Sequence, residues 1–503
     1  MKGMFPRSVV TAVLFCASLG VMNQGAHAQS PAAENRQPPA LTIYNGNFAL
    51  VREYIPLELT SAVSTVSFTD VTSHLEPDSV ILRDPSGQHS LQVLEQNYRN
   101  DPVSQELLLS LYEGKTIDFW IGSGVVHGKI IRSGYVPPLT RFGQYQPASS
   151  TQPIIEVDGV LRFGLPGQPL FPALTGDTIL KPTLNWQLRT DKPGRFDAEL
   201  AYITSGMTWE ASYNLVAPEK GDTMDFVGWV TMTNTSGRSF ENARIKLLAG
   251  DVNKIQEPNS APYNMAAKAA LARDEMAPTV TEHSFDEFHM YTLQRPATLH
   301  DQETKQVEFV RAMNVASKRL YVYDGAAIDW NQYRYWQPEQ MRANRELGTQ
   351  SNKKIWVMQE FVNSQKNSLG IPLPKGKLRF YRRDTDGHLE FTGESMIDHT
   401  PKDETVRVYT GNAFDVTGER KRTDFKIDTH NNWLDESFEI RLRNHKTEPV
   451  TVIVAETLYR GLNWKIADES HEHKKTEAQR MEYRVTVPPD GEQVVTYTVH
   501  YTW

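Results

Sequence analysis

The sequence predicts an all-β protein, and three observations lead there. Apolar residues recur mainly with a period of two, the spacing that turns every second side chain of a strand to one face. The alternating pieces are short, and Gly, Pro, Asp or Ser separates them at the cadence of sandwiches and barrels. Helical composition is concentrated in one stretch, MAAKAALARDEM at Met265–Met276. The architecture expected is a small N-terminal β domain followed by antiparallel β-sandwich modules, with two insertions, one of helical composition.

The first residues read as an export signal. Lys2 and Arg7 precede a short apolar run, Ser8–Met22, and Gly25-Ala26-His27-Ala28 places small residues where signal peptidase reads, so residues 1–28 are expected to be removed. The run is shorter than the roughly 20 apolar residues of a membrane-spanning helix. Phe15 stands before Cys16, where lipid attachment wants a small residue. Cys16 is the only cysteine. The exported chain then has no thiol, which excludes cysteine catalysis, disulfides and zinc–thiolate sites. The 53 Lys and Arg against 61 Asp and Glu give a formal charge of −8, and loss of Lys2 and Arg7 makes the chain two units more acidic. Neither nucleic acid nor anionic lipid is expected as a partner of such a surface. No later segment is apolar for long enough to cross a bilayer, and the expected location is the periplasm or the exterior.

Residues 29–40 read as a polar, Pro-rich flexible lead and 41–181 as the N-terminal β domain. Its strands open with VREYIPLEL, where Val51, Glu53, Ile55, Leu57 and Leu59 define a mostly apolar face. Residues 182–503 carry the sandwich modules, with insertions at about 253–285 and 326–350. The last strand alternates sharply: Val495, Tyr497, Val499, Tyr501 and Trp503 share one side. A chain that ends in a strand requires that strand to be paired and tied down.

The stretch YITSGMTWEASYNLV, Tyr202–Val216, holds Ser, Thr, Trp and Glu beside a glycine. Trp209, Ala211, Tyr213 and Leu215 point one way and Glu210, Ser212 and Asn214 the other, and no G-x-S-x-G elbow presents a nucleophile. The expectation is a hairpin turning at Gly206. This stretch also resembles the most recognisable segment of a bacterial envelope family known as mucoidy-inhibitor-like, whose C-terminal half is a domain of unknown function. The segments Thr233–Val252, Tyr291–Phe309, Asn367–Glu394, Gly411–Val416, Ser437–Glu456 and the closing TVHYTW agree in order. The resemblance spans about Thr183–Trp503 and implies an envelope address and this β fold. It brings no catalytic residues, and the long coiled-coil segment that many members place between their halves is missing here.

Three groups are candidates for chemistry. Asp384-Thr385-Asp386-Gly387 invites a calcium loop, but the third oxygen ligand and the glutamate at position twelve are missing, so a hairpin turn is the better reading. His471-Glu472-His473 lies in a densely charged run without further zinc ligands, and no metal site is expected. The second insertion is more suggestive: Trp330, Tyr333, Arg334, Tyr335 and Trp336 place four aromatics in seven residues, with amide, carboxylate and guanidinium groups among them. Flat rings cover a sugar face while polar groups take its hydroxyls; more often such rings pin an insertion to the β core or cover a sheet edge.

The function expected is that of an exported, non-enzymatic envelope protein, a binding or assembly module for a protein or glycan partner, with no cofactor and no catalytic residue. The alternative is a periplasmic or secreted hydrolase acting on glycan or peptide with carboxylates from separate strands, which requires a cleft holding two carboxylates of shifted pKa. A structural spacer, with neither feature, is the third reading.

Overall fold

The computed structural model describes residues 37–503 except 61–62, 123, 137–138, 142–143, 147–148, 174–177, 251 and 255–279. The expected export signal at residues 1–28, most of the expected 29–40 lead and the Met265–Met276 stretch lie outside the described residues. Several mostly antiparallel sheets account for the fold, and the described residues hold two short α-helices, Gln105–Leu111 and Pro338–Ala343. The chain is all-β.

The N-terminal strands do not keep to themselves. Phe48–Leu59 pairs antiparallel with Ala40–Tyr44 and, over its whole length, with Gly194–Ser205. Ala40–Tyr44 in turn runs parallel to Phe240–Ala249. One sheet thus draws strands from both sides of residue 181. Val51, Ile55, Leu57 and Leu59 are buried as their alternation demands. Glu53 occupies the same row and is held by a two-pronged pair with Arg238, which answers the cost of a carboxylate there. Strands Thr116–Trp120, Val125–Arg132, Ile154–Val157, Val160–Phe163 and Gln168–Leu170 build a separate five-stranded sheet around Ile117, Phe119, Ile130, Ile155 and Val157.

The stretch at Tyr202–Val216 corrects one expectation. Strands Gly194–Ser205 and Met207–Ala217 flank Gly206 as read, but they do not pair with each other. The first belongs to the sheet of Phe48–Leu59, the second to a larger one with Thr223–Asn234 and Gly376–Arg383 as neighbours. The connection is a corner between sheets. Gly206 has φ of 83°, and a Cβ there would lie 2.9 Å from both His74 Nδ1 and the Thr235 carbonyl oxygen. Local residues specify a turn; which strands pair across it depends on partners distant in sequence. Trp209 is buried as expected and donates from Nε1 to the Leu248 carbonyl at 3.2 Å, tying the two sheets together.

The larger sheet curls. In the order Leu389–Ile397, Gly376–Arg383, Met207–Ala217, Thr223–Asn234, Glu303–Tyr323, Lys354–Val362 and Thr405–Asp428, its strands bend round until the first lies against the last. A Cβ on Gly393 would fall 2.1 Å from the Thr410 carbonyl oxygen, so glycine permits that approach. Tyr213, Phe226, Phe309 and Phe361 fill the interior with ring centroids 5.3–5.8 Å apart.

Two long strands, Glu303–Tyr323 and Thr405–Asp428, leave this barrel and continue into a C-terminal sandwich. There Trp433–Asn444 and the final strand Gly491–Thr502 form one layer with the end of Thr405–Asp428. Val450–Thr457 and Arg480–Val487 form the other, joined to residues 321–323. Val495, Tyr497, Val499 and Tyr501 are buried between the layers. The last strand is flanked on both sides, by Trp433–Asn444 and Trp464–Glu469, so it is tied down.

The barrel and the sandwich share one construction detail. At the end of Thr223–Asn234, the buried Asn234 amide donates to the carbonyls of Arg238, Leu299 and His300 at 2.8, 3.3 and 3.1 Å and accepts from the Ser236 N–H at 3.1 Å. At the end of Trp433–Asn444, the buried Asn444 amide donates to Glu448, Val487 and Pro488 at the same three distances and accepts from the Lys446 N–H at 3.0 Å. In both places the chain re-enters a strand six residues on, at Phe240 and Val450. One asparagine satisfies carbonyls that the strand crossover strips from their ladder.

Candidate functional site

The insertion between strands Glu303–Tyr323 and Lys354–Val362 stands where neighbouring antiparallel strands need only a tight turn. It folds in two parts. Its tip is a pair of successive turns: Asp329 Oδ1 accepts from the Asn331 N–H at 3.0 Å, the Gln332 N–H donates to the Asp329 carbonyl at 3.1 Å, and the Trp336 N–H to the Tyr333 carbonyl at 3.1 Å. Pro338 then opens the helix Pro338–Ala343, with the Gln337 N–H held by Gln340 Oε1 at 2.9 Å; proline is favoured there because its missing N–H is not needed.

The tip presents its rings outward. Trp330 is 49% exposed and Tyr335 83%. Tyr333 and Trp336 are half-buried and meet edge to face at 4.9 Å, and the Arg334 guanidinium lies 5.7 Å from the Tyr335 ring centre. The five residues singled out in the sequence are therefore neighbours on one short loop. Tyr333 and Trp336 brace one another, while Trp330, Arg334 and Tyr335 face solvent.

The base of the insertion is fastened by buried charge. Arg460, 4% exposed, donates to the carbonyls of Met341, of Asn344 at 2.8 Å and of Leu347 at 3.0 Å. Its guanidinium also forms a two-pronged pair with Glu436 at 2.9 and 3.2 Å, and Glu436 reaches Arg422 at 3.2 Å. Arg422 donates to the Arg345 carbonyl. Alongside, Arg420 gives Nη1 to the Gly348 carbonyl at 2.7 Å, pairs with Glu456 at 2.9 Å and stacks 3.8 Å from the Phe438 ring centre. Tyr497 donates to Glu456 at 2.5 Å. Burial works against the Arg420 charge, but Glu456 and Tyr497 more than offset it and hold the guanidinium well above its ordinary pKa. Burial and then Glu456 push the Tyr497 phenol well up; burial and then Glu436 take Tyr459 up to about 12.

Sequence reasoning passed over these clamp residues, although a signal was present. Glu436 stands in the row Leu434, Glu436, Phe438, Ile440, Leu442, and Glu456 in the row Val450, Val452, Val454, Glu456. A carboxylate in the apolar row of a strand is expensive unless paired, so each announces a buried partner.

The remaining candidates resolve simply. Asp384–Gly387 is the turn of a hairpin between Gly376–Arg383 and Leu389–Ile397, with Gly387 at φ 84°. His473 Nδ1 lies 2.8 Å from Glu469 and His471 Nδ1 2.9 Å from Ser470. Among the described residues, no group of three His, Cys, Asp or Glu side chains is placed to hold a metal ion, and no helix is long and apolar enough to cross a membrane. Asp324 has its carboxyl pKa raised by burial and by Glu456.

Fold and site together define an all-β protein of linked barrel and sandwich modules that carries a clamped, aromatic-tipped insertion. The family model described as Domain of unknown function (DUF4139) matches residues 198–503, and the chain belongs to that family. The matched span contains the barrel, the sandwich and the insertion. No curated protein matches the chain.

Proposed function

We propose that the protein is a non-enzymatic binding or assembly module of the cell envelope, and that the tip at Trp330–Trp336 contacts a protein or glycan partner. One observation carries the reading: buried Arg–Glu pairs lock the base of the insertion while its tip keeps Trp330 and Tyr335 in water. Rings that served only to pin the loop would face the core. Rigidly held, exposed aromatics are what interfaces and sugar platforms use, because little rotamer freedom is lost on contact.

Export by the residue 1–28 signal, a periplasmic or extracellular address and kinship with mucoidy-inhibitor-like envelope proteins belong to the same proposal, supported by the leader's pattern and the ordered motifs. The hydrolase alternative asks for two carboxylates at a cleft. Glu456 helps to raise the pKa of Asp324, but Glu456 is 1% exposed and is held by Arg420 and Tyr497. That favours a structural task for the pair.

The test is crosslinking of the tagged, exported chain in intact cells, beside the double variant Trp330→Ala/Trp336→Ala. Recovery of an envelope protein or glycan that the double variant loses supports the proposal. Recovery indifferent to the substitutions removes the contact from this tip, and recovery of nothing overturns the binding role.

A further inference from the structure

We infer that the open end of the barrel is a binding site for a small oxyanion, a carboxylate or phosphoryl group on a compact ligand, received between Arg319 and Arg382. A cavity of about 190 Å³ opens there, walled by Leu215, Met224 and Phe380 below and by Arg319, Arg382 and Gln359 above. It is smaller than the roughly 300 Å³ at which drug-sized pockets begin, so it suits a ligand of few atoms. Barrel mouths are favoured sites for such pockets.

Strand periodicity explains why the arginines converge. On Glu303–Tyr323, Val315 and Ser317 are buried and Arg319 is next in their row; on Gly376–Arg383, Leu378 and Phe380 are buried and Arg382 follows. Gln359 stands opposite Arg319 in the ladder and shares the row of buried Phe361. Two irregularities shape the rim. Register shifts between Phe380 and Tyr381 and between Val357 and Met358 leave Thr392 and Thr410 without ladder partners, and both line the cavity. Bulges re-aim side chains at functional rims.

Among the described residues, no carboxylate lies within ion-pair distance of either guanidinium, and the Arg319 side chain makes no hydrogen bond. Arg382 gives Nη1 to the carbonyls of Pro218 at 2.8 Å and Glu219 at 3.1 Å, which fixes its direction. Asp222 is the carboxylate acting on it, from beyond ion-pair distance. Burial and the Arg319 charge together hold the Arg382 pKa below its ordinary value. The clamp arginines of the insertion each found a glutamate; these two line one cavity. A planar guanidinium pair is the natural receptor for an oxyanion, through charge-assisted, two-pronged hydrogen bonds.

Titration calorimetry of the exported-length chain with inorganic phosphate and with succinate, each against chloride at equal ionic strength, tests the site. Saturable binding of either probe is expected, weakened at least tenfold in Arg319→Gln and Arg382→Gln and unchanged in Arg407→Gln, whose partner is Glu360. Arg319→Gln decides the matter, because a side chain without protein hydrogen bonds leaves the fold intact; its melting temperature should equal that of the parent. Phosphate alone identifies a phosphoryl ligand, succinate alone a carboxylate, and either supports the site. No heat beyond chloride from both probes, or parental affinity in Arg319→Gln, overturns it. Trp330→Ala/Trp336→Ala should leave binding untouched, which keeps this site separate from the proposed contact loop.

Discussion

Replacing Glu436 by Gln puts the clamp to its hardest test. Glu436 and Arg460 both have side chains 0% exposed and meet through two short contacts, and Arg422 shares the same carboxylate. The substitution keeps the shape and removes the charge, so a guanidinium remains in the interior with no counter-ion. Breaking a buried pair from one side costs roughly 3–5 kcal/mol, a large part of the 5–15 kcal/mol that holds an ordinary domain together. Arg460→Met should cost at least as much, because it also strips the Met341, Asn344 and Leu347 carbonyls of their donor. The double variant removes both charges, so its loss should fall short of the sum of the single losses by at least about 1 kcal/mol. Urea unfolding followed by tryptophan fluorescence measures all three, read from midpoints at constant slope. Hydrogen exchange over residues 338–350 reports the insertion directly, and protection there should fall first in both single variants. A loss in Glu436→Gln below about 1 kcal/mol, or strict additivity in the double variant, would refute the argument that paired burial fastens the loop.

Three further outcomes are expected. Gly348→Ala should destabilise the same region by about 2 kcal/mol or more, since Gly348 has φ of 74° and a Cβ would sit 1.9 Å from the Tyr459 hydroxyl; thermal melting checks it, and a neutral result would mean that the loop is not held against Tyr459. Asn234→Ala and Asn444→Ala should each cost about 2–3 kcal/mol by stranding buried carbonyls, and unequal losses in chemical denaturation would argue against equivalent corners. Asp324→Asn carries a pH signature. Burial and Glu456 raise the folded-state pKa of Asp324 above its unfolded value, so its contribution to stability is full below the unfolded value and declines as pH rises through the folded one. The variant should therefore gain on the parent between acid and neutral pH in paired unfolding curves, and a gain in the opposite direction would show that Asp324 is stabilised as the anion.

The strand pattern was legible because a half-buried strand writes its own burial in alternation: Val495 to Tyr501, Trp209 to Leu215 and Val51 to Leu59 all face inward as their spacing demands. The aromatic tip was legible as composition, since Trp330 to Trp336 are consecutive and any fold keeps them together. Pairing was not. Gly206 could be read as a turn from its neighbours, yet whether the strands beside it join as a hairpin or part into two sheets depends on Phe48–Leu59 and Gly376–Arg383, which compete for their edges from far along the chain. The same holds for charge. A glutamate in an apolar row tells that a partner exists, but Arg460 and Glu436 meet only because two sandwich layers close over them, and Arg319 and Arg382 line one cavity only because a sheet curls. Periodicity is a property of a strand and is carried by its own residues. Proximity between strands arises only when the chain folds, and with it came the clamp and the oxyanion pocket.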